Sequence, residues 1–131
     1  MGYNPKFDID LDFGEVHERG LKKLFESTGG KLEVKTERGK WYDTGNIAIE
    51  IRRRGKESGL SVTEADWWFH ILSIDGKVKG MLVFTVDELK NIVKGMIRNG
   101  TIRKTMGGDD NESELYLLPI GESADSIGKF F

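Results

Sequence analysis

Polar and apolar residues alternate with period two in two neighbouring stretches of this chain. In the first, Leu32, Val34 and Thr36 alternate with Glu33, Lys35 and Glu37; in the second, Ile47, Ile49 and Ile51 alternate with Ala48, Glu50 and Arg52. Such alternation marks strands that bury one face and present charge on the other. Read as the arms of a β-hairpin over residues 31–52, the two stretches admit a register that pairs Glu33 with Glu50 and sets Lys35 opposite Ala48. Glu37 then faces Asn46, Gly39 faces Thr44, and the loop is Lys40–Asp43, an ordinary hairpin length. Leu32 stacks on Ile51 and Val34 on Ile49, so a single register satisfies the whole apolar face.

Other elements follow from the same reading. Residues 7–13 (FDIDLDF) alternate as an extended lead-in or short edge strand would. Gly14 opens a helix from Glu15 to about Thr28, closed by Gly29-Gly30, with Leu21, Leu24, Phe25 and Thr28 as its apolar stripe. On this helix Glu18 leans towards the buried side, which is costly unless it is paired or ligated; an i,i+4 pair with Lys22 is the alternative. Beyond the hairpin, GKESGLS is a loop, and Thr63 caps a short turn through Glu64-Ala65-Asp66. Trp67–Ile74 (WWFHILSI) reads as a buried strand, Asp75-Gly76 as a hairpin turn, and Val78–Thr85 as the next strand. Val86–Arg98 is an amphipathic helix with Leu89, Ile92, Val93, Met96 and Ile97 inward. GGDDN is a loop, and Glu114–Ile120 a last short strand. The expected architecture is α/β or α+β, with a central mixed, largely antiparallel sheet flanked by helices.

Composition narrows the class. A chain of 131 residues, 37% hydrophobic and 32% charged, is expected to form one globular domain with a core over about residues 7–120 and a tail at 121–131. Without cysteine there are no disulfides, thiolate zinc sites or cysteine nucleophiles. No apolar stretch reaches membrane-spanning length and the N-terminus lacks a signal-peptide core, so the expected setting is cytoplasmic, with no membrane partner. There is no phosphate-cradling glycine loop followed by lysine and serine, no Gly-x-Gly-x-x-Gly and no serine-nucleophile elbow. His17 and His70 are the only histidines; His70, within an apolar run, reads as a hydrogen-bonded structural residue, and Trp67 and Trp68 read as core.

The formal net charge is −2, yet its distribution is uneven. Residues 1–18 carry −4, residues 19–56 carry +6, residues 57–108 carry +1 and residues 109–131 carry −5. The positive block includes Arg38, Lys40, Arg52, Arg53, Arg54 and Lys56, close in sequence to the charged strand faces. Phosphate binding needs a local positive surface, not a positive whole. Ser58 and Thr63 could add hydroxyl donors to a phosphate or merely build a turn. Two carboxylates and a lysine on rigid strands suit a hard divalent cation between the carboxylates, with the lysine as a point charge for a phosphate or a metal-bound water. A solvated charged strand face is the plainer alternative.

A helix glutamate, acidic strands carrying Glu-x-Lys, and a basic loop together resemble the PD-(D/E)XK nuclease superfamily. More narrowly, the run EVKTERGKWYDTGNIAIEIRRRGKESGLSVTEADWW is similar to small phage-encoded endonucleases of that superfamily, to which the archaeal Holliday-junction resolvases also belong. The resemblance covers about residues 7–84, and Gly107-Gly108-Asp109 would continue it. It implies a restriction-endonuclease-like core, with the helix glutamate at Glu18, Glu33 and Lys35 on the strand motif and Glu50 as the remaining strand carboxylate. The chain departs from the family pattern in having no Pro-Asp dipeptide and no acidic strand position before Glu33 at customary spacing. Either Glu33-Val34-Lys35 is the Glu-x-Lys itself, or Glu33 takes the aspartate place and Glu50 the glutamate place. The second mapping explains why the two acids should share a face, and it leaves Lys35 or Arg52 as the cation.

The function implied is hydrolysis of DNA phosphodiesters by a bacterial or phage-encoded endodeoxyribonuclease, selective for structure such as branched DNA. Glu18, Glu33 and Glu50 would hold Mg²⁺, for which Mn²⁺ would substitute, and Lys35 would complete the catalytic set. Arg38, Lys40, Arg52, Arg53, Arg54, Lys56, Ser58 and Thr63 would contact the DNA backbone. Cutting two strands of a junction would suit a homodimer. The competing readings are a non-catalytic DNA-binding relative of the same fold and a protein-interaction module.

Overall fold

Eight residues in the middle of the chain, Trp67–Ile74, carry apolar side chains on both faces, and a strand of that kind needs neighbours on both edges and cover on both sides. The computed structural model describes residues 19–20, 22–23, 26–27, 29–108 and 110–121. Residues 19–20, 22–23 and 26 are helical. From there the chain runs β1 (Leu32–Glu37), α1 (Lys40–Thr44), β2 (Asn46–Arg53), β3 (Lys56–Glu57) and a 3₁₀ turn (Gly59–Ser61). It continues through β4 (Trp67–Ile74), β5 (Lys77–Thr85), α2 (Val86–Asn99), β6 (Arg103–Gly107) and β7 (Ser113–Pro119). The class is α+β, with two sheets.

Strand β4 is the centre of a three-stranded sheet ordered β1-β4-β5. Its antiparallel partner β5 follows a turn in which Asp75 and Gly76 both have positive φ, 52° and 78°. That left-handed pair has the twist a two-residue hairpin requires. On the other edge β1 runs parallel to β4, with Glu33 beside Trp68, Lys35 beside His70 and Glu37 beside Leu72. The second sheet is ordered β3-β2-β7-β6 and is antiparallel throughout.

The hairpin expected over residues 31–52 is therefore not formed. β1 and β2 are strands, as their alternation predicts, but they lie in different sheets, and Glu50 stands opposite Leu115 of β7 instead of Glu33. The expected loop Lys40–Asp43 is the start of helix α1, which ends on Gly45 in the left-handed conformation, φ 74°. Trp41 donates its indole N–H to the Ser73 carbonyl at 2.8 Å. That bond anchors α1 at the far end of β4 and turns the chain away from β1. Meanwhile β4, apolar on both sides, takes the edge of β1 that the hairpin would have used. Alternation fixes which residues share a face; it does not choose the partner strand.

The principal core lies between the sheets and α2. Ile47, Ile49 and Leu118 from the second sheet meet Trp68, Leu72, Leu82 and Phe84 from the first, with Val86, Leu89, Val93 and Met96 of α2 closing the side. Trp68 and Phe84 are fully buried, and each such side chain is worth roughly 1.5–3 kcal/mol relative to exposure. Of the inward set expected for α2, Ile97 is instead 47% exposed. The opposite face of the first sheet carries a smaller cluster of Leu32, Phe69 and Ile71, with Val34, Trp67 and Val78 against it. Among the described residues no helix is long and apolar enough to cross a membrane.

Candidate functional site

Glu33, Lys35 and Glu37 occupy the face of β1 that adjoins Trp68, His70 and Leu72, so this charged row looks towards the space between the sheets. Only because β1 is an edge strand do Glu33 and Lys35 reach solvent, with side chains 34% and 41% exposed. Inward-facing charges of this kind need partners, and each has one. Lys35 Nζ lies 3.4 Å from Glu33 Oε2, while Glu33 Oε1 accepts a hydrogen bond from the Thr63 hydroxyl at 3.2 Å. Glu37 Oε1 accepts the Ala48 N–H of β2 at 2.9 Å and lies 2.7 Å from Nε2 of the buried His70. Because His70 Nδ1 accepts the Trp68 indole N–H at 3.0 Å, the proton of a neutral His70 sits on Nε2 and points at Glu37. His70 is thus the hydrogen-bonded structural residue that its apolar setting suggests, and Glu37 forms a polar tie between β1 and β2.

On β2 a bulge changes the expected pattern. Glu50 stands opposite Leu115, Arg52 opposite Glu114 and Arg53 opposite Ser113, with Ile51 as the extra residue. Successive residues of β7 point to opposite faces, so Glu50 and Arg52 face opposite ways, whereas regular alternation would put them together. The basic residue on the Glu50 face is Arg53. Glu50 Oε1 accepts the Ser113 hydroxyl at 2.8 Å. Arg53 Nη1 donates to Ser113 Oγ at 3.4 Å and its Nη2 to Asp110 Oδ2 at 3.2 Å. Arg54 pairs with Glu112 and lies 3.8 Å from Asp110.

The turn after β3 links the two carboxylate strands. Ser58 N–H donates to Ile51 O, and Thr63 N–H donates to Gly59 O, both at 3.0 Å. Gly59 has φ +54°, and a Cβ there would lie 2.1 Å from the Glu50 carbonyl oxygen. Only glycine tolerates both conditions. Thr63 Oγ1 accepts the Ala65 N–H and donates to Glu33. The segment Ser58-Gly59 to Thr63 is therefore a bracket from the Glu50 backbone to the Glu33 carboxylate. Beside it, Lys22, Glu26, Lys31, Glu33, Thr63 and Glu64 line an open cleft of about 570 Å³.

The remaining predicted residues divide clearly. Glu18 lies outside the described residues, as does His17. Arg38, Lys40, Arg52 and Lys56 are exposed. Arg53 and Arg54 are charge-compensated by Asp110 and Glu112. Ser58 Oγ is buried and has no hydrogen-bond partner among the described residues. Thr63 is committed to Glu33. Sequence reasoning missed Ser113, Glu37 and β6, which pairs with β7. The signal for Ser113 was indirect: Gly107-Gly108 marks a close approach, and a Cβ on Gly108 would lie 3.0 Å from Ser113 Oγ.

A hard divalent cation asks for oxygen ligands, keeps several waters and is commonly held through one or two carboxylates. Glu33 and Glu50 match that donor chemistry: each has one oxygen fixed by a hydroxyl donor. Among the described residues, three or more acidic, histidine or cysteine side chains are nowhere gathered as a metal-binding group. Comparison of the chain with protein-family models, with curated proteins and with solved structures finds no match.

Proposed function

We propose that this chain is a metal-dependent endodeoxyribonuclease with a restriction-endonuclease-like core, acting on branched or otherwise structured DNA. What carries the reading is the bracket that joins the Glu33 carboxylate, through Thr63 and Gly59, to the backbone of Glu50. A carboxylate facing the space between the sheets on an edge strand (Glu33) and a partly buried one beside a bulge (Glu50), each oriented by a hydroxyl, are an expensive arrangement for a merely solvated surface. Glu33 and Glu50, with Glu18, would hold Mg²⁺ or Mn²⁺. When bound, the ion lowers the pKa of a coordinated water and offsets charge developing on the scissile phosphate.

The chain's own residues supply the rest. Lys35, 3.4 Å from Glu33, is placed to hold a water or a phosphate oxygen beside that carboxylate. Arg52, turned to the face opposite Glu50 by the bulge, is not, and this favours Lys35 as the catalytic cation. Exposed Arg38, Lys40, Arg52 and Lys56 would grip backbone phosphates without reading sequence.

The test is an assay of the purified full chain on branched and linear DNA with Mg²⁺ or Mn²⁺ and with chelator. Cleavage that needs the metal and prefers the branched substrate is the expected result. DNA binding without metal-dependent cleavage would make the chain a non-catalytic relative and overturn the enzyme reading. Weak binding nearly indifferent to salt would point to a protein-interaction module instead.

A further inference from the structure

Ser113 has no place in the set of metal, catalytic and DNA-contacting residues, yet it is 1% exposed and lies against the carboxylate of Glu50. Its hydroxyl has two neighbours of opposite kind. Arg53 Nη1 donates to the oxygen at 3.4 Å, and the oxygen in turn donates to Glu50 Oε1 at 2.8 Å. A guanidinium has no acceptor capacity and an ionised carboxylate no donor, so the hydroxyl hydrogen has one direction available, towards Glu50. Asp110 holds the other end of the guanidinium at 3.2 Å. Two further features maintain the arrangement. The bulge at Ile51 brings Arg53 onto the Glu50 face, and Gly108, at φ +84° with open space where a side chain would crowd Ser113, lets the β6–β7 turn close over the serine.

We infer that Ser113, aligned by Arg53, is a positioning residue that fixes the rotamer of Glu50 and leaves its second oxygen, Oε2, to face a divalent cation. The inference rests on the nuclease reading of Glu50. It also assigns Arg53 a role other than the phosphate contact expected from the Arg52-Arg53-Arg54 run. Residues that hydrogen-bond a ligating carboxylate typically change metal affinity by about 10- to 100-fold when removed.

The experiment is Mn²⁺ titration of the full chain, without DNA, by calorimetry, with DNA cleavage measured in parallel on the same preparations. Ser113→Ala should bind Mn²⁺ about 10- to 100-fold more weakly, and cleavage should recover as metal is raised while KM for DNA stays unchanged. In a Glu50→Gln background Ser113→Ala should have no further effect on metal affinity. Arg53→Gln should also weaken Mn²⁺ binding in the absence of DNA; a pure phosphate-contact role predicts instead unchanged Mn²⁺ affinity and a shallower salt dependence of DNA binding. Wild-type Mn²⁺ affinity in Ser113→Ala overturns the inference, and if that variant fails to fold, wild-type affinity in Arg53→Gln does so. Should Glu50→Gln itself bind Mn²⁺ as the wild type does, it is the assignment of Glu50 as a ligand that fails.

Discussion

At Gly59 a methyl group would be driven against the carbonyl oxygen of Glu50, and the backbone there already sits at φ +54°. Gly59→Ala must therefore shift the bracket that joins Glu50 to Thr63 and Glu33. Its expected cost is about 2–4 kcal/mol, read as a lower midpoint in urea, together with a loss of cleavage. The charged residues behave differently, because Glu33 and Lys35 reach solvent, Glu50 is only partly buried, and none of the three belongs to the apolar core. Glu33→Gln, Glu50→Gln and Lys35→Ala should each lower metal-dependent cleavage by about 10²-fold or more, with unfolding midpoints close to wild type. Unchanged turnover in Glu50→Gln would remove the two-carboxylate site. Residues of this kind were legible because they repeat with period two. Ser113 was not, because its meaning comes from a partner more than sixty positions away (Glu50) and from a bulge that periodicity does not announce.

Among the elements, α2 shows local sequence and structure in agreement. Thr85 accepts the Glu88 N–H at 3.0 Å, and Glu88 accepts the Thr85 N–H at 2.9 Å, a reciprocal cap. Gly100 closes the other end with φ 72°. Thr85→Ala should destabilise the protein by about 1 kcal/mol, measurable by urea unfolding, while leaving metal affinity alone because the helix borders the core and not the carboxylates. Helix α2 and strands β4 and β5 could be read from sequence within a residue or so, since an amphipathic stripe, an apolar run and an Asp-Gly turn are all local signals. The pairing of β1 could not. Two strands separated by a short polar stretch look like a hairpin, and only the anchoring of Trp41 on Ser73 and the two-sided demand of β4 send them to different sheets. β6, with an exposed RKTMG sequence, carries no alternation to find.

Across the whole molecule, charge is less available than its count suggests. Of the six basic residues in the block from Arg38 to Lys56, Arg53 and Arg54 are already engaged by Asp110 and Glu112. If Arg38, Lys40, Arg52 and Lys56 supply the phosphate contacts of this block, the slope of log K against log salt for duplex DNA should be about −4. Glu112→Gln combined with Asp110→Asn, which removes both acids beside Arg54, should make the slope steeper by about 1 or more. Filter binding across a salt series reads both, and an unchanged slope in the variant would show that Arg54 does not reach the DNA. Thus the positive block was visible in the sequence, but its internal compensation was not, since the acids that engage it belong to the β6–β7 turn.

The placement of that turn also sets an order of events during synthesis. β1 waits for β4 as its neighbour, and β2 waits for β7, the last strand described, because residues 47–50 pair only with residues 115–118. β3 pairs only with the end of β2, at Arg52 and Arg53, so the stretches around Glu33 and Glu50 both wait for strands that come much later in the chain. A chain emerging from the ribosome would carry Glu33 and Glu50 long before Ser113 arrives to orient the second of them. Late completion of this kind makes folding slow relative to domains rich in local contacts. It also means that a nascent chain has no oriented pair of acids until the β6–β7 hairpin has closed; on the nuclease reading proposed above, it would not cut nucleic acid before then.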